Sequence, residues 1–388
     1  MRRAAIIVLD GLGIGPTADQ AVYGDAGSHT LGNSLAQAAD LELPNLQRLG
    51  LGCCRPLARV APADAPQAAW GIAHPSSPGK DSTTGHWELC GLVLERPFPT
   101  FPNGFPEEVL LEFGRRTGRG TLCNRPASGT AVIAEFGGEH QETGAWIVYT
   151  SADSVFQVAS HEEIVPLEEL YQACRTAREM LQGELGVSRV IARPFAGAAG
   201  GYQRTTNRRD FSLPPAGPTL LDRAQAVHLP RVGVGKVDDL FAGRGISSLH
   251  TATNGEAYAM IRGALLSMER GLLLANVIEF DQTWGHRNDV PGFLGGLKAL
   301  DLALPGLVEA AQAEDLIIFT ADHGNDPTTP STDHSREAVP VLAFGPGILP
   351  VPLGERATLA DVGQTVAEFL ELEPLPAGTS FLHEVWRG

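Results

Sequence analysis

The sequence predicts an α/β protein built on a mainly parallel sheet with helices on both faces. Apolar, β-branched runs typical of buried strands alternate with helical stretches through the second half of the 388-residue chain. The chain also opens with such a run, at 4–9. Between these regions, four prolines and three phenylalanines within 96–106 predict a linker rather than a helix or strand. Together these observations predict a core that is interrupted by a separate segment.

The first predicted strand leads into Asp10, which is followed by Gly-Leu-Gly-Ile-Gly at 11–15. This G-x-G-x-G spacing does not fit the dinucleotide-binding fingerprint, and Asp10 would stand where a phosphate has to approach. An acid at the carboxyl end of a buried strand is instead typical of sites in open α/β sheets. Asp10 is therefore a candidate ligand, with a turn-starting aspartate as the alternative. A short helix is predicted at 44–49, with a proline in its first turn.

The segment after the linker has a pattern of its own. Strands are predicted at 145–150 and 187–192, and an amphipathic helix at 166–185. A run of prolines and glycine at 214–218 then breaks the chain. We interpret 97–216 as an inserted α+β domain joined by two linkers. The predicted catalytic core is then discontinuous and consists of residues 1–96 and 217–388.

Strands and helices alternate after the insert, which predicts parallel strand pairing. Strands are predicted at 232–235, 272–280, 316–320 and 339–344, and helices at 256–269, 290–312 and 359–370. Pro305 predicts a break in the second of these helices, because proline removes an amide donor. Thr358 is the predicted N-cap of the third helix.

Composition excludes several classes of partner. The net charge of −16 argues against nucleic acid or an anionic membrane, so a phosphorylated ligand would need clustered cations or metal ions. The five cysteines form no C-x-x-C pair, which suits the reducing cytoplasm. The first apolar run is too short for a signal peptide, and no run reaches the length of a membrane span. We expect a cytoplasmic protein, and no obligate protein partner is evident.

Acids and imidazoles recur where predicted strands end. Because parallel strands deliver their carboxyl ends to one edge of the sheet, these side chains can converge. Three carboxylates and three imidazoles are enough for two metal ions, and ligands without thiolate suit manganese, zinc or iron. Any one of them could instead cap a helix or satisfy a hydrogen bond in the core, but their joint position favours metal. The set comprises Asp10, Asp281, His286, Asp322, His323 and His334.

The stretch 79–88 places three consecutive hydroxyls between an acid and a glycine, with an imidazole just beyond. Such hydroxyls can contact phosphate, bind a metal or act as a nucleophile. An ordinary turn is the alternative, since serine, threonine and glycine are common in loops. The acids and histidines elsewhere in the chain favour the functional interpretation. Several arginines also crowd the end of the insert, and arginine suits a bidentate grip on phosphate.

The motifs resemble one known family. Residues 319–326 (FTADHGND) and 332–334 (TDH) resemble the metal motif of the alkaline phosphatase superfamily. Four further stretches resemble the phosphopentomutase family within it: 79–88 (GKDSTTGHWE), 149–155 (YTSADSV), 190–195 (VIARPF) and 205–211 (TTNRRDF). The likeness runs from the first strand to the last helix and implies an alkaline-phosphatase-like core with an inserted cap.

The resemblance also implies roles for individual residues. One metal, with Mn²⁺ the expected ion at both sites, would bind Asp10, Asp322 and His323, and the other Asp281, His286 and His334. The nucleophile, usually threonine in this family, is Ser82 here, with Thr83 and Thr84 as the alternatives. The implied substrate contacts are Ser151 and Asp153 on the sugar, and Arg193, Arg204, Arg208 and Lys236 on the phosphate.

The implied activity is the interconversion of the 1-phosphates and 5-phosphates of ribose or deoxyribose. It would pass through a phosphoenzyme and a pentose 1,5-bisphosphate, with glucose 1,6-bisphosphate or the pentose 1,5-bisphosphate as the activator. The alternatives are a phosphatase or sulfatase with the same metals, a mutase of the phosphoglycerate type, and a non-catalytic relative. The sequence leaves open the metal used, the preference between the two pentoses and the oligomeric state.

Overall fold

A computed structural model describes residues 2–151 and 153–387. The chain forms two compact units: one comprises the chain up to Pro97 and from Pro215 onward, and the other is Phe98–Pro214. The bounds predicted for the insert were 97–216, and its role as a cap stays a prediction. Within the described part of the chain, every helix is too short or too polar to cross a membrane.

The strands are numbered in chain order. They are β1 (Arg3–Leu9), β2 (Ala69–Ala73), β3 (Thr121–Pro126), β4 (Trp146–Thr150), β5 (Val155–His161), β6 (Arg189–Ala196), β7 (Gln203–Arg204), β8 (Arg209–Ser212), β9 (Arg231–Val234), β10 (Ser248–Leu249), β11 (Gly271–Val277), β12 (Asp315–Thr320), β13 (Val339–Phe344) and β14 (Pro352–Arg356).

The α-helices follow the same numbering. They are α1 (Thr30–Ala36), α2 (Pro44–Leu49), α3 (Leu51–Cys54), α4 (Ser82–Leu89), α5 (Glu107–Thr117), α6 (Gly129–Thr143), α7 (Leu167–Met180), α8 (Leu220–Ala226), α9 (Val237–Leu240), α10 (Asn254–Ser267), α11 (Val290–Glu309), α12 (Ala360–Phe369) and α13 (Leu382–Val385). Short 3₁₀ turns lie at Gln20–Tyr23, Gly183–Leu185 and Gly285–Arg287, and a π-helical turn at Phe280–Trp284.

The larger unit contains an eight-stranded sheet in the order β10-β9-β11-β1-β12-β13-β2-β14. Every neighbouring pair is parallel except the two that involve β13, which is antiparallel to both β12 and β2. The mainly parallel sheet predicted from the sequence is confirmed. Strand β1 is buried along its whole length and lies between β11 and β12. Its carboxyl end therefore lies beside theirs, which is the edge where sites form in such sheets.

The smaller unit contains a second sheet in the order β3-β4-β5-β6-β7, and β8 pairs with β6. Residues of β4 alternate between two apolar clusters, as the period of a strand requires. Trp146 belongs to one cluster, with Phe113 of α5 and Phe156. Ile147 belongs to the other, with Val132 of α6. The insert thus has its own core and is a domain in the physical sense.

Several predicted elements differ from those observed. The helix predicted at 166–185 ends at Met180, and the strand predicted at 272–280 ends at Val277. The start of α12 differs by one residue, with Leu359 rather than Thr358 at the N-cap position. The strands that were not predicted are β2, β3, β5, β7, β8, β10 and β14. Of these, β2 and β14 lie toward the edge beyond the antiparallel β13, where pairing depends on tertiary neighbours more than on local pattern.

The predicted break at Pro305 is wrong, because α11 continues through it. Proline removes the amide that would otherwise donate to the carbonyl four residues earlier, which is that of Asp301. The side-chain amide of Asn45 donates to this carbonyl instead, at 2.9 Å. In return, the carboxylate of Asp301 accepts from the backbone amides of Asn45 and Leu46 at 2.9 and 2.7 Å. The carboxylate of Asp301 thus caps α2, and the side-chain amide of Asn45 replaces the hydrogen bond that Pro305 removes from α11.

Replacing Asn45 with alanine should lower the free energy of unfolding by about 1–3 kcal/mol, because a buried carbonyl loses its donor. Pro305→Ala restores a backbone donor to that carbonyl, so Asn45→Ala should cost about 1 kcal/mol less in that background. Urea denaturation of the four proteins of this cycle measures the coupling. Equal costs in both backgrounds would contradict the exchange.

The smaller unit also buries a histidine, His140, in a fixed hydrogen-bonded state. Its Nδ1 lies 2.6 Å from the carbonyl oxygen of Ala145, and its Nε2 accepts from the amide of His161 at 2.9 Å. Because Nε2 accepts, Nδ1 carries the only ring proton. Burial lowers the pKa of His140 below its ordinary value.

Stability should therefore fall at acid pH. Above a pH of about 6.5, His140 is neutral in both states, but below it the unfolded chain takes up a proton that the folded chain resists. Chemical denaturation at several pH values between about 7.5 and about 5 measures the slope of the free energy of unfolding against pH. His140→Gln should flatten it, whereas His383→Gln, at an exposed position, should not. An unchanged slope in His140→Gln would disprove the assignment.

Candidate metal centre

The hydroxyl stretch begins a helix rather than forming a loop. Asp81 is the N-cap of α4, and its carboxylate accepts from the backbone amide of Thr84 at 3.0 Å and from its hydroxyl at 2.6 Å. Thr83 and Thr84 are both buried, whereas Ser82 is half-buried. A side chain at Gly85 would meet the carbonyl oxygen of Asp322 at 2.4 Å, so this glycine lets α4 pack directly on the chain after β12.

Ser82 faces two of the predicted ligands. Its Oγ lies 3.0 Å from Nε2 of His323 and 3.5 Å from Oδ1 of Asp10. Asp10 directly follows β1, while Asp322 and His323 come soon after β12, the neighbouring strand. Parallel pairing of these strands brings the three predicted ligands to one edge of the sheet.

The sequence predicted a strand that ends at Asp281, but the structure differs. Asp281 lies four residues beyond β11, in the π-helical turn Phe280–Trp284. Such turns are rare and often occur at functional sites. Phe280 anchors the turn through edge-on ring contacts with Trp284 and Phe293, at centroid distances of 5.3 and 5.2 Å.

Two histidines flank the carboxylate of Asp281. Nε2 of His286 lies 3.2 Å from one oxygen, and Nε2 of His334 lies 3.2 Å from the other. Ligand atoms of these three residues all lie within 4.8 Å of one another. The same holds for Asp10, Asp281 and His323, so Asp281 belongs to both groups.

Asp322 lies next to the group formed by Asp10, Asp281 and His323. Its Oδ2 lies 3.3 Å from Nε2 of His323. The structure therefore brings together all six residues that were predicted as metal ligands. Their division into two sets of three stays a prediction.

The ring orientations fit metal binding. Nδ1 of His286 lies 2.7 Å from the carbonyl oxygen of Thr332, and Nδ1 of His323 lies 3.0 Å from that of Gly324. Donation to these carbonyls leaves Nε2 of each ring as the nitrogen that turns toward the carboxylates. Metal-binding histidines are usually held by such a second hydrogen bond.

The electrostatics also fit a divalent cation. Burial, followed by the charges of Asp322 and Asp281, raises the pKa of Asp10 well above its ordinary value. Burial acts in the same direction on Asp281, but His334 and His286 outweigh it and hold its pKa well below the ordinary value. Buried carboxylates facing one another need positive charge, and this set of oxygen and nitrogen ligands suits Mn²⁺, Zn²⁺ or iron.

Three residues at the site were not given roles from the sequence. The side-chain amide of Asn276 donates to Oδ2 of Asp10 at 2.9 Å, and that of Asn325 donates to Oδ1 of Asp281 at 2.7 Å. Nδ1 of His86 lies 3.1 Å from Oδ2 of Asp322. A polar residue within the apolar strand β11 is a usable signal, because burying an amide without a partner is costly.

The predicted phosphate-binding arginines lie in the smaller unit. Nε of Arg193 donates to Oε1 of Gln157 at 3.0 Å, and burial lowers the pKa of Arg193 to about 10. Arg204 is exposed, on the short strand β7. Arg208 donates two hydrogen bonds to the carboxylate of Asp210, both at 2.7 Å. Arg208 is thus held by a carboxylate of its own unit.

The other predicted substrate contacts are divided between the two units. In the smaller unit, Oγ of Ser151 accepts from the amide of Asp153 at 3.3 Å, and Asp153 lies 3.9 Å from Arg189. Lys236 lies in the larger unit, at the N-terminus of α9. Its Nζ donates to the side chain of Gln282, the neighbour of Asp281.

Comparisons with known proteins show which family this chain resembles. The model of the Metalloenzyme superfamily matches residues 224–374. A phosphopentomutase of Dictyoglomus turgidum is 50% identical, covering 100% of this chain and 99% of the relative. Those of Carboxydothermus hydrogenoformans and Anaeromyxobacter are both 51% identical; the first covers 99% of this chain and 100% of the relative, and the second 100% of each.

A solved structure of a protein from Pyrococcus horikoshii has a TM-score of 0.50 at 16% identity, covering 95% of this chain and 97% of that one. This likeness concerns the fold alone. The predicted fold class, an alkaline-phosphatase-like α/β core, is confirmed, and so is the resemblance drawn from the motifs. With about half of its residues identical to these relatives over the full length, the chain belongs to the phosphopentomutase family.

Proposed function

We propose that this protein interconverts the 1-phosphates and 5-phosphates of ribose and deoxyribose, with Ser82 as the residue that carries the phosphoryl group. The observation that carries the proposal is the position of Ser82 Oγ. It lies at the start of α4, 3.0 Å from His323 and 3.5 Å from Asp10, within a cluster of buried carboxylates and imidazoles. A hydroxyl in that environment is suited to nucleophilic catalysis.

The metal ions are held in this proposal by the six clustered ligands. Bound divalent ions, Mn²⁺ here, would neutralise charge on the phosphoryl group in transfer and favour the ionised form of the Ser82 hydroxyl. The proposed ligands are Asp10, Asp322 and His323 for one ion, and Asp281, His286 and His334 for the other.

The reaction begins with Ser82 phosphorylated. The free hydroxyl of the pentose phosphate attacks phosphorus in line, and the bond from phosphorus to Ser82 Oγ breaks as the new bond forms. Overall, the proton of the attacking hydroxyl is transferred to Oγ, which gives the pentose 1,5-bisphosphate and free Ser82. Oγ then attacks the other phosphorus of the bisphosphate, and the bond from that phosphorus to the sugar oxygen breaks. Overall, the Oγ proton is transferred to that sugar oxygen, which releases the isomer and restores the phosphoserine. Glucose 1,6-bisphosphate would prime the cycle by the same exchange.

The cations supply the grip on the phosphate that does not react. Arg193, Arg204, Arg208 and Lys236 are the proposed phosphate ligands, and Ser151 and Asp153 the proposed sugar ligands. Arginine is suited to this task because its planar donors can bind two phosphate oxygens at once. The smaller unit would act as a cap that excludes water, which protects the phosphoserine from hydrolysis.

We also propose that the protein works in the cytoplasm. The cysteines form no disulfide in the described part of the chain, and Cys90 and Cys174 are buried. Burial raises the pKa of both thiols above its ordinary value, so they are poor thiolates and poor targets for oxidation. Free, unreactive cysteines suit a reducing compartment.

Manganese-loaded protein incubated with glucose 1,6-bisphosphate should gain one phosphate on Ser82, as peptide mass spectrometry can locate. Ser82→Ala should gain none and lose about 1,000-fold or more of its mutase activity, because the covalent intermediate cannot form. Thr83→Ser, at a buried neighbouring hydroxyl, is the matched control and should still be labelled at Ser82. A phosphate mapped to Thr83 or Thr84, and retained in Ser82→Ala, would contradict the assignment.

Arg193→Gln should lower kcat/KM for ribose 5-phosphate by about 10- to 100-fold, because charge-assisted hydrogen bonds to the phosphate are lost. The effect should appear mainly in KM, since this phosphate is not the one transferred. Arg116→Gln, an exposed arginine of the same unit that pairs with Glu112, should leave the kinetics unchanged. Steady-state assays compare the two, and equal effects would argue against a specific role for Arg193.

A further inference from the structure

We propose that Asn276 and Asn325 are positioning residues, each of which orients the carboxylate of one metal-binding group. The inference rests on the proposed metal site and extends it to residues that touch neither the substrate nor the metal in the proposed mechanism. Both side chains are almost fully buried, at 1% and 0% exposure, and the NH2 group of each donates to a carboxylate inside the protein.

Asn276 fixes which oxygen of Asp10 faces the site. Its amide donates to Oδ2 at 2.9 Å. The other oxygen, Oδ1, is the one that lies 3.5 Å from Ser82 Oγ and 3.4 Å from Nε2 of His323. Asn276 lies in β11 and pairs in register with Val8, two residues before Asp10 in β1. The sheet therefore sets the distance between the amide and the carboxylate.

The same amide also holds His86, which lies close to Asp322 and to the backbone of Ser82. Nδ2 of Asn276 lies 3.2 Å from Nε2 of His86, within reach of its second hydrogen. Nε2 then accepts, so Nδ1 of His86 carries the proton and donates. Nδ1 lies 2.9 Å from the backbone oxygen of Ser82 and 3.1 Å from Oδ2 of Asp322. Asp322 Oδ2 accepts no hydrogen bond in the described part of the chain, so the Nδ1 proton goes to the Ser82 oxygen. One asparagine thus links Asp10 to the backbone that carries the nucleophile.

Asn325 orients the carboxylate of Asp281 in the same way. Its amide donates to Oδ1 of Asp281 at 2.7 Å, and its backbone amide donates to the hydroxyl of Thr30 at 3.0 Å. A side chain at Gly285 would lie 2.5 Å from the Asn325 carboxamide carbon, and one at Gly11 would lie 3.2 Å from its Cβ. The chain at these two glycines packs closely against Asn325, so the asparagine side chain has little freedom to turn away from Asp281.

An amide is well suited to this task because it donates hydrogen bonds without adding charge. A carboxylate in its place would repel the acids of the site, and an apolar residue would leave them free to rotate. Residues that orient metal ligands in this way typically contribute about 10- to 100-fold to metal affinity. In the proposed division of the ligands, Asp10 belongs to the set with Asp322 and His323, and Asp281 to the set with His286 and His334. Each asparagine should therefore act mainly on the ion whose proposed ligand set contains the carboxylate it holds.

The test measures Mn²⁺ binding to metal-free protein by calorimetry, without substrate, in two single-site backgrounds. His286→Ala disables the group around Asp281, and His323→Ala disables the group around Asp10. Asn276→Leu should weaken Mn²⁺ binding about 10- to 100-fold in the His286→Ala background and less than about 3-fold in the His323→Ala background. Asn325→Leu should show the reverse preference. Circular dichroism and thermal melting of the metal-free proteins show whether leucine disturbs the fold. If it does, Asn276→Ala and Asn325→Ala replace the leucine variants.

A second readout separates positioning from structural damage. If the asparagines act through metal affinity, saturating Mn²⁺ should restore most of the mutase activity of the asparagine variants, with KM for ribose 5-phosphate unchanged. Equal weakening in both backgrounds, or no weakening in either, would overturn the inference while leaving the proposed function intact. Wild-type protein that binds no Mn²⁺ at all would overturn the metal site and the inference together.

Discussion

The constraint on which the structure depends is the burial of three carboxylates within a few ångströms of one another. Asp10, Asp281 and Asp322 are each less than a tenth exposed, so water screens little of the charge that each carries when it is ionised. Such a cluster is unstable by itself, and imidazoles alone offset it in part. The arrangement makes sense when divalent cations supply the missing charge. This need for positive charge arises at the edge of the sheet where β1 and β12 end side by side.

Other buried charges hold the loops that carry the site. Arg336 is 4% exposed, and its guanidinium donates to backbone oxygens of the segment before α4, those of Pro75, Ser77 and Gly79. Next to it, Glu337 is fully buried and accepts hydrogen bonds from the loop after β1 and from the first residue of α1. Because these residues directly follow the loop of His334, they fix the start of α4 and the clustered acids and histidines in one frame. A site of this kind works only if its parts keep their relative positions.

Local pattern was a good guide for several fully buried strands of the larger unit. Strands β1, β12 and β13 were predicted to within a residue, because a short β-branched run flanked by turn residues has few other solutions. It failed where a distant residue decides the outcome. The proline in α11 is tolerated because Asn45, from another part of the chain, replaces the lost donor. Asp281 lies beyond its strand because aromatic packing of Phe280 stabilises a π-helical turn.

The sequence by itself determined the chemistry of the site: the acids, imidazoles and hydroxyl are fixed by residue type, and the ends of parallel strands bring them to one edge. The motifs also determined the family. Only the tertiary structure decided which of the three hydroxyls faces the cluster, since α4 buries Thr83 and Thr84 and leaves Ser82 turned toward His323. It also decided the partners of each carboxylate. Those partners, Asn276 among them, come from strands and loops far apart in the chain, and no local pattern encodes a contact between distant segments.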